Sequence, residues 1–346
     1  MKIIQIVGYK NSGKTTLVSD LIRRFTRAGY RVGSLKHHGH GGKPDVTAHK
    51  DSDLHQQAGS VVSGVEGDGQ FLLSMNQSHW SLRELIERYE GFDLDILLIE
   101  GYKYASYPKI VLVRNEADLS LLDELESIIG VVSSCPIPQQ HTFQWGEEDS
   151  LFEWLLKFID IDMTGLVIAG GKSRRYGRPK AFETIGGQYF YEKSLYVLGN
   201  FCDRSILITN EQLKDRFQSD IPVFVDTKKY QDHGPLAGLY TGMKNSDADW
   251  YATLPVDVPN ITASVFMELL KGITDQAQAI VPVTDGQKQP LVALYHHSVN
   301  EVIEALLNSG QSSLHQLLDR IHTVYLEMED ADPFLNVNYL SDHPDA

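Results

Sequence analysis

Gly8-Tyr9-Lys10-Asn11-Ser12-Gly13-Lys14-Thr15 has the residue types and spacing G-x-x-x-x-G-K-[ST] that wrap a backbone around a polyphosphate. Glycines let the chain curl until successive N–H groups point inward, and a helix starting at the end of the run adds the positive end of its dipole. Lys14 would reach the outer phosphates and the Thr15 hydroxyl would face Mg²⁺. The candidate nucleotide contacts are therefore Gly8, Asn11, Ser12, Gly13, Lys14, Thr15 and Thr16. The ion needs a second protein oxygen, and Glu100 offers one at the end of the apolar run Ile96-Leu97-Leu98-Ile99. Asp95 opens that run, the wrong end for a ligand beside the phosphate loop.

A second set of chemical groups begins at Ala169-Gly170-Gly171 and continues through Arg174, Arg175, Arg178 and Lys180, a flexible turn and cations suited to a triphosphate. Gly171-Lys172-Ser173 resembles the tail of a phosphate loop, but the place of the first glycine is held by Leu166, inside a strand-like run. No G-x-G-x-x-G fingerprint is present here either. Downstream, Trp250-Tyr251-Ala252-Thr253-Leu254-Pro255-Val256-Asp257 delivers a carboxylate just past the carboxyl end of an apolar strand, where open α/β sheets place ligands. Asp257 is a natural Mg²⁺ ligand; a turn aspartate is the competing structural reading. His37, His38 and His40 read as solvated or phosphate-facing, since a tetrahedral metal site would want ligands from a second segment. Lys50-Asp51-Ser52-Asp53 fits a helix N-cap or a Mg²⁺ contact equally well.

These groups must be held by strands alternating with helices. Lys2–Val7 is a β-branched strand, and Leu17, Leu21, Ile22 and Phe25 have helical spacing. Further strands are expected at 30–35, 60–65, 70–74, 95–99, 110–113 and 128–132, with helices at 82–89 and around 151–159. A polar, Pro/Gln-rich stretch covers 136–149, and the alternation restarts at Thr164. Strands are then expected at 165–169, 205–209, 223–225, 250–254 and 279–283, and helices near 191–201, 236–245, 264–270 and 299–308. The fold class is α/β, with two three-layer domains: a P-loop NTPase-like unit over 1–160 and a Rossmann-like unit over 161–346.

Composition sets the outer limits. A chain of 346 residues exceeds the size at which single cores stop growing, about 250–300 residues, which agrees with two units. The formal charge of -15 opposes non-specific binding to nucleic acid or anionic membranes. No apolar run reaches the ~18–20 residues of a membrane helix, and the chain enters a strand directly from Met1. Cys135 and Cys202 lack any metal or disulfide spacing and read as two reduced thiols. The expected location is the cytoplasm.

The second half resembles the molybdenum cofactor guanylyltransferase family. The match runs through Ile168-Ala169-Gly170-Gly171, Arg175, Gly177 and Lys180, then Asp226, Gly234-Pro235-Leu236-Ala237-Gly238, Pro255-Val256-Asp257, Gln289-Pro290-Leu291 and Phe334-Leu335-Asn336-Val337-Asn338. Tyr176 and Ile168 replace the usual methionine and leucine, and Ser341 stands where a Thr-Pro pair is frequent. The first half resembles the molybdopterin-guanine dinucleotide biosynthesis adaptor family. That match covers the phosphate loop, Lys36-His37, Lys50-Asp51-Ser52, Ala58-Gly59, Leu98-Ile99-Glu100-Gly101-Tyr102-Lys103 and Pro108-Lys109-Ile110.

The resemblance implies a fusion that transfers GMP from GTP to molybdopterin and releases pyrophosphate, with an amino-terminal half that binds and weakly hydrolyses GTP. It implies Mg²⁺ dependence, with Asp257, Thr15 and Glu100 as metal ligands and Lys180, Arg175 and Asp257 as the catalytic set. Ile168, Ala169, Gly170 and Gly171 would face the nucleotide, Asn210 and Asp226 the nucleoside, and Asn336 and Asn338 the pterin side. The partners implied are GTP, molybdopterin, receiving molybdoenzymes, other cofactor-biosynthesis proteins and a second copy joined through the first half. The choice of guanine comes from the resemblance alone. The competing functions are a nucleotidyltransferase acting on a sugar or polyol phosphate, a non-catalytic molybdopterin carrier, and a small-molecule kinase in the first half.

Overall fold

The computed structural model describes residues 1–38, 51–137, 141–171, 176–218, 220–231 and 233–337. The first half is built on β1 (Lys2–Val7), β2 (Val32–Lys36), the hairpin β3 (Val62–Gly67) and β4 (Gln70–Met75), β5 (Ile96–Glu100), β6 (Lys109–Val113), β7 (Ile128–Ser133) and β8 (Thr142–Gln144). Six of these form one sheet in the order β2-β5-β1-β6-β7-β8, and every neighbouring pair is parallel. A parallel sheet is covered on both faces, and the sequence shows why: β5 and β6 have every residue buried. Successive side chains alternate between cores, with Ile110 and Leu112 joining the cluster under helix Lys14–Arg27 while Val111 and Val113 join Leu121 on the other face. The β3–β4 hairpin stands apart as its own two-stranded sheet, with Val62, Val65, Phe71, Leu72 and Leu73 exposed.

The second half restarts with β9 (Met163–Ile168), followed by the short pair β10 (Thr184–Ile185) and β11 (Gln188–Tyr189), β12 (Arg204–Thr209), β13 (Val223–Val225) and β14 (Trp250–Pro255). It ends with β15 (Ala279–Thr284), β16 (Gln287–Lys288), β17 (Ala293–His296) and β18 (Thr323–Glu327). The eight-stranded sheet runs β13-β12-β9-β14-β17-β15-β16, with β18 added to β15; β13, β12, β9 and β14 are mutually parallel, and β17 is antiparallel to β14. Leu166 faces the core of helices Gly234–Asn245 and Asn300–Asn308, and Val167 faces that of Phe190–Gly199 and Ala263–Leu270. Two three-layer α/β arrays therefore follow one another in the chain. Among the described residues no helix is long and apolar enough to cross a membrane.

The expected elements lie close to the observed ones, and the differences are local. β2 starts two residues later than expected, at Val32, because the Tyr30 backbone N–H is spent on closing the preceding helix, donating to the Phe25 carbonyl at 3.0 Å. Strands β8, β10, β11, β16, β17 and β18 are additional to the expected ones: β8 is three residues long within a polar stretch, β10, β11 and β16 are two residues each, and β17 and β18 complete the far side of the second sheet.

Candidate functional sites

In the first half the phosphate loop joins β1 to helix Lys14–Arg27. Gly13 caps that helix in a left-handed conformation at φ 94° and offers no side-chain acceptor, so the first-turn N–H groups stay available to an anion. A Cβ at Gly8 would come within 2.6 Å of the Ser12 hydroxyl and 3.0 Å of the Leu112 carbonyl, so the curl of the loop requires glycine. The loop residues Gly8 through Thr16 line a cavity of about 1070 Å³ together with Lys36, His37, His38, Glu100 and Arg114.

The Thr15 hydroxyl is 2.9 and 3.0 Å from the two Glu100 carboxylate oxygens. Lys36 Nζ lies 2.9 Å from that hydroxyl and 3.1 Å from Glu100 Oε1. An ammonium thus rests where the hydroxyl and the carboxylate converge, oxygens of the kind a hard cation takes. Asp95 is at the other end of β5, accepting from the Arg31 backbone N–H at 2.7 Å. Lys14 is turned back on its own loop, donating to the Gly8 and Tyr9 carbonyls at 3.0 and 2.6 Å. Burial holds its pKa below the usual lysine value, Glu100 opposing that effect and Lys36 adding to it.

Two buried polar residues fix the wall of this cavity. Gln5, fully buried in β1, donates to the Gly101 and Tyr102 carbonyls at 3.0 and 2.9 Å. Lys109, fully buried at the start of β6, donates to the Ala105 and Glu126 carbonyls at 2.6 and 2.5 Å. His37 packs its ring 4.3 Å from that of Tyr102. Among the described residues no three His, Cys, Asp or Glu side chains form a metal cluster; His40, Lys50 and the side chains of Asp51, Ser52 and Asp53 lie outside the described ones.

In the second half a cavity of about 580 Å³ opens at the carboxyl ends of β9, β12 and β14, lined by Ile168, Ala169, Gly170, Gly171, Lys180, Asn210, Asp226 and Asp257. Lys180 Nζ is 3.3 Å from Asp257 Oδ2, with side-chain exposures of 11% and 31%. Asn210 Nδ2 donates to the Gly170 carbonyl at 3.1 Å and so fixes the turn. Asp226 accepts from the Thr241 hydroxyl at 2.8 Å. The amino-terminal turn of helix Gly234–Asn245 opens on the same cavity through Gly234, Pro235 and Gly238, and the Val337 N–H donates to the Asp257 carbonyl at 2.8 Å, bringing the Asn336 segment alongside.

Not every expected cation reaches this cavity. Arg178 pairs instead with Glu183, a buried carboxylate that also accepts from the Tyr176 hydroxyl at 3.2 Å. Arg174, Arg175 and Asn338 lie outside the described residues. Sequence reasoning missed Leu213 and Gln231 in this cavity, and Arg114, packed against Trp145, in the first one. Their signal was tertiary: each comes from the end of a strand or a turn with no local motif.

Residues 165–324 match the family model described as MobA-like NTP transferase domain, and residues 3–134 match the model described as Molybdopterin guanine dinucleotide synthesis protein B. The protein named probable molybdenum cofactor guanylyltransferase from Bacillus cereus (strain B4264) is 39% identical over 188 residues, which cover 53% of this chain and 94% of that relative. The chain belongs to the molybdenum cofactor guanylyltransferase family. Its first half extends beyond what that guanylyltransferase covers. A MobB protein homolog from Bacillus stearothermophilus, solved by X-ray crystallography, is 35% identical over 46% of this chain and 98% of its own, with a TM-score of 0.38. The molybdopterin-guanine dinucleotide biosynthesis protein A from Archaeoglobus fulgidus is 23% identical over 52% of this chain and 94% of its own, with a TM-score of 0.45.

Proposed function

We propose that the second half transfers GMP from GTP to the terminal phosphate of molybdopterin, and that the first half is a GTP-binding, weakly hydrolysing adaptor. The observation that carries this reading is the single cavity in which Lys180, Asp257 and the Gly170 turn meet, on a chain of the guanylyltransferase family. A phosphate oxygen of the acceptor attacks the α-phosphorus of GTP, a new P–O bond forms, and the bond to the β-phosphate oxygen breaks to release pyrophosphate. No protein nucleophile is required, so the work of the site is alignment and charge neutralisation.

Lys180 offsets charge on the departing pyrophosphate, and Arg175 is assigned the same task. The Gly170-Gly171 backbone lets the triphosphate approach closely, Asn210 and Asp226 take the nucleoside, and Asn336 and Asn338 take the pterin side. Asp257 would hold Mg²⁺ in this half, and Thr15 with Glu100 in the other. The ammonium groups already resting against these oxygens support both assignments. When bound, the ion supplies Lewis-acid stabilisation of phosphoryl oxygens.

The boundary between the units is placed at residues 160 and 161, between the helix Glu148–Asp160 and β9. The apolar side chains exposed on the β3–β4 hairpin support pairing of two copies through the first half. The functional test is incubation of the full chain with molybdopterin and each of the four nucleoside triphosphates, measuring pyrophosphate and the dinucleotide formed. Formation of the guanine dinucleotide is expected. Release of no pyrophosphate despite molybdopterin binding would favour the carrier, and release only with a sugar phosphate acceptor would favour the sibling transferase.

A further inference from the structure

We infer that Arg114, laid against Trp145, is the seat of the nucleoside of the nucleotide held by the Gly8–Thr15 loop. This rests on the reading that the loop binds a nucleoside triphosphate, and it says where the base goes. The phosphate end is fixed by the loop. On one side of β1 lie β5 and β2, which bring Glu100, Lys36 and His37, the charged and cation-accepting side of the cavity. On the other side lie β6, β7 and β8, all parallel to β1, so their carboxyl ends share its edge. Arg114 directly follows β6 and Trp145 directly follows β8.

The two side chains are built into the phosphate loop. Arg114 Nε donates to the Ser12 carbonyl at 3.0 Å, and its guanidinium carbon is 4.7 Å from the centre of the Trp145 ring. A Cβ at Gly13 would be 2.8 Å from the indole Cη2 and 2.9 Å from Arg114 Nη2, so this glycine also lets both groups touch the loop. The Arg114 backbone N–H is held by Asp118 at 2.8 Å. Arg114 is exposed and lines the cavity, and Trp145 beside it is half-buried. The guanidinium thus stands against the indole and faces the cavity, and its plane is the surface offered to a base. Trp145 Nε1 is buried without an acceptor, a cost that packing for its own sake would avoid. The rival tyrosine faces are already covered, Tyr9 and Tyr104 by Lys103, whose ammonium is 5.1 and 4.8 Å from their ring centres, and Tyr102 by the His37 ring at 4.3 Å.

The test is calorimetric titration of the full chain with GTP and with inorganic tripolyphosphate, both with Mg²⁺, following the component of binding that Lys14→Ala removes. Arg114→Ala is expected to weaken GTP about tenfold and tripolyphosphate less than about twofold, the size of one lost base stack. Arg114→Lys should behave like the alanine variant, because it keeps the charge and loses the plane. Equal weakening of both ligands would make Arg114 a phosphate contact and overturn the inference. Loss of GTP binding in Tyr104→Ala with none in Arg114→Ala would overturn it by placing the base on the other side of β1. If Lys14→Ala removes no tripolyphosphate component at all, the phosphate-loop reading itself falls, a result distinct from either.

Discussion

The hydroxyl of Thr15 straddles the carboxylate of Glu100, 2.9 Å from one oxygen and 3.0 Å from the other, across 85 residues of sequence. The strand register explains the meeting: Ile6 pairs with Glu100, so the acid is level with the last residues of β1, where the phosphate loop begins. Glu100→Gln keeps the shape and removes the charge. Its effect on the Mg²⁺ dependence of nucleotide binding by the first half should equal or exceed the ~10–100-fold typical of losing an outer partner of a metal ligand. An unchanged Mg²⁺ titration would remove Glu100 from the metal site.

Asp257 belongs to a strand end, and its backbone, not its side chain, carries the hydrogen bond to Val337. Asp257→Ala removes the pair with Lys180 but no backbone hydrogen bond, so the variant should stay folded at a cost of no more than about 1–3 kcal/mol, while the rate of pyrophosphate release falls by about 100-fold or more. Full activity in the folded variant would refute its catalytic assignment.

Lys109 gives a pH signature. Burial lowers its pKa to about 8, partly opposed by Glu126. Its unfolded value is near ~10.4, so between pH 8 and that value the unfolded chain binds more protons than the folded one, and stability contributed at this site rises with pH. Below pH 8 the buried ammonium carries its full penalty. Lys109→Met has no such group, so the stability of the wild type relative to this variant should increase across that window by an amount on the order of 1–3 kcal/mol. Urea unfolding at pH 7, 8, 9 and 10 measures it, and a flat difference would mean that Lys109 titrates normally.

Local signals were legible and distant ones were not. The phosphate loop could be read from eight consecutive residues, and Glu100 from the apolar run before it, because both are contiguous in sequence. Lys180 and Asp257 could be nominated, but their approach to 3.3 Å depends on the parallel pairing of β9 with β14. Arg178 looked like one more phosphate ligand, since a charge in sequence does not reveal its partner; the buried Glu183 takes it. Trp145 lay in a stretch read as polar linker, where a three-residue strand gives too little alternation to detect.

Lys2 ties the halves together. Its ammonium donates to the Ile161 carbonyl at 2.9 Å and pairs with Asp203 at 2.8 Å, while Asp203 also accepts from the Met163 N–H at 2.9 Å. Both side chains are largely shielded, at 13% and 24% exposure, so the pair should be stronger than a surface salt bridge. Asp203→Ala should cost about 1–3 kcal/mol in urea unfolding. In a cycle with Lys2→Met the two changes should be non-additive by at least ~0.5 kcal/mol. The contact lies at the amino-terminal ends of β1 and β9, whereas the phosphate loop and the Gly170 turn lie at their carboxyl ends, roughly 20 Å along each strand. Nucleotide affinity in either half should accordingly stay within about twofold of the wild type, well under the tenfold that 1.4 kcal/mol represents. Additive single and double variants would show that the pair is only a neighbourly contact, and a large drop in affinity would show that it reaches the sites.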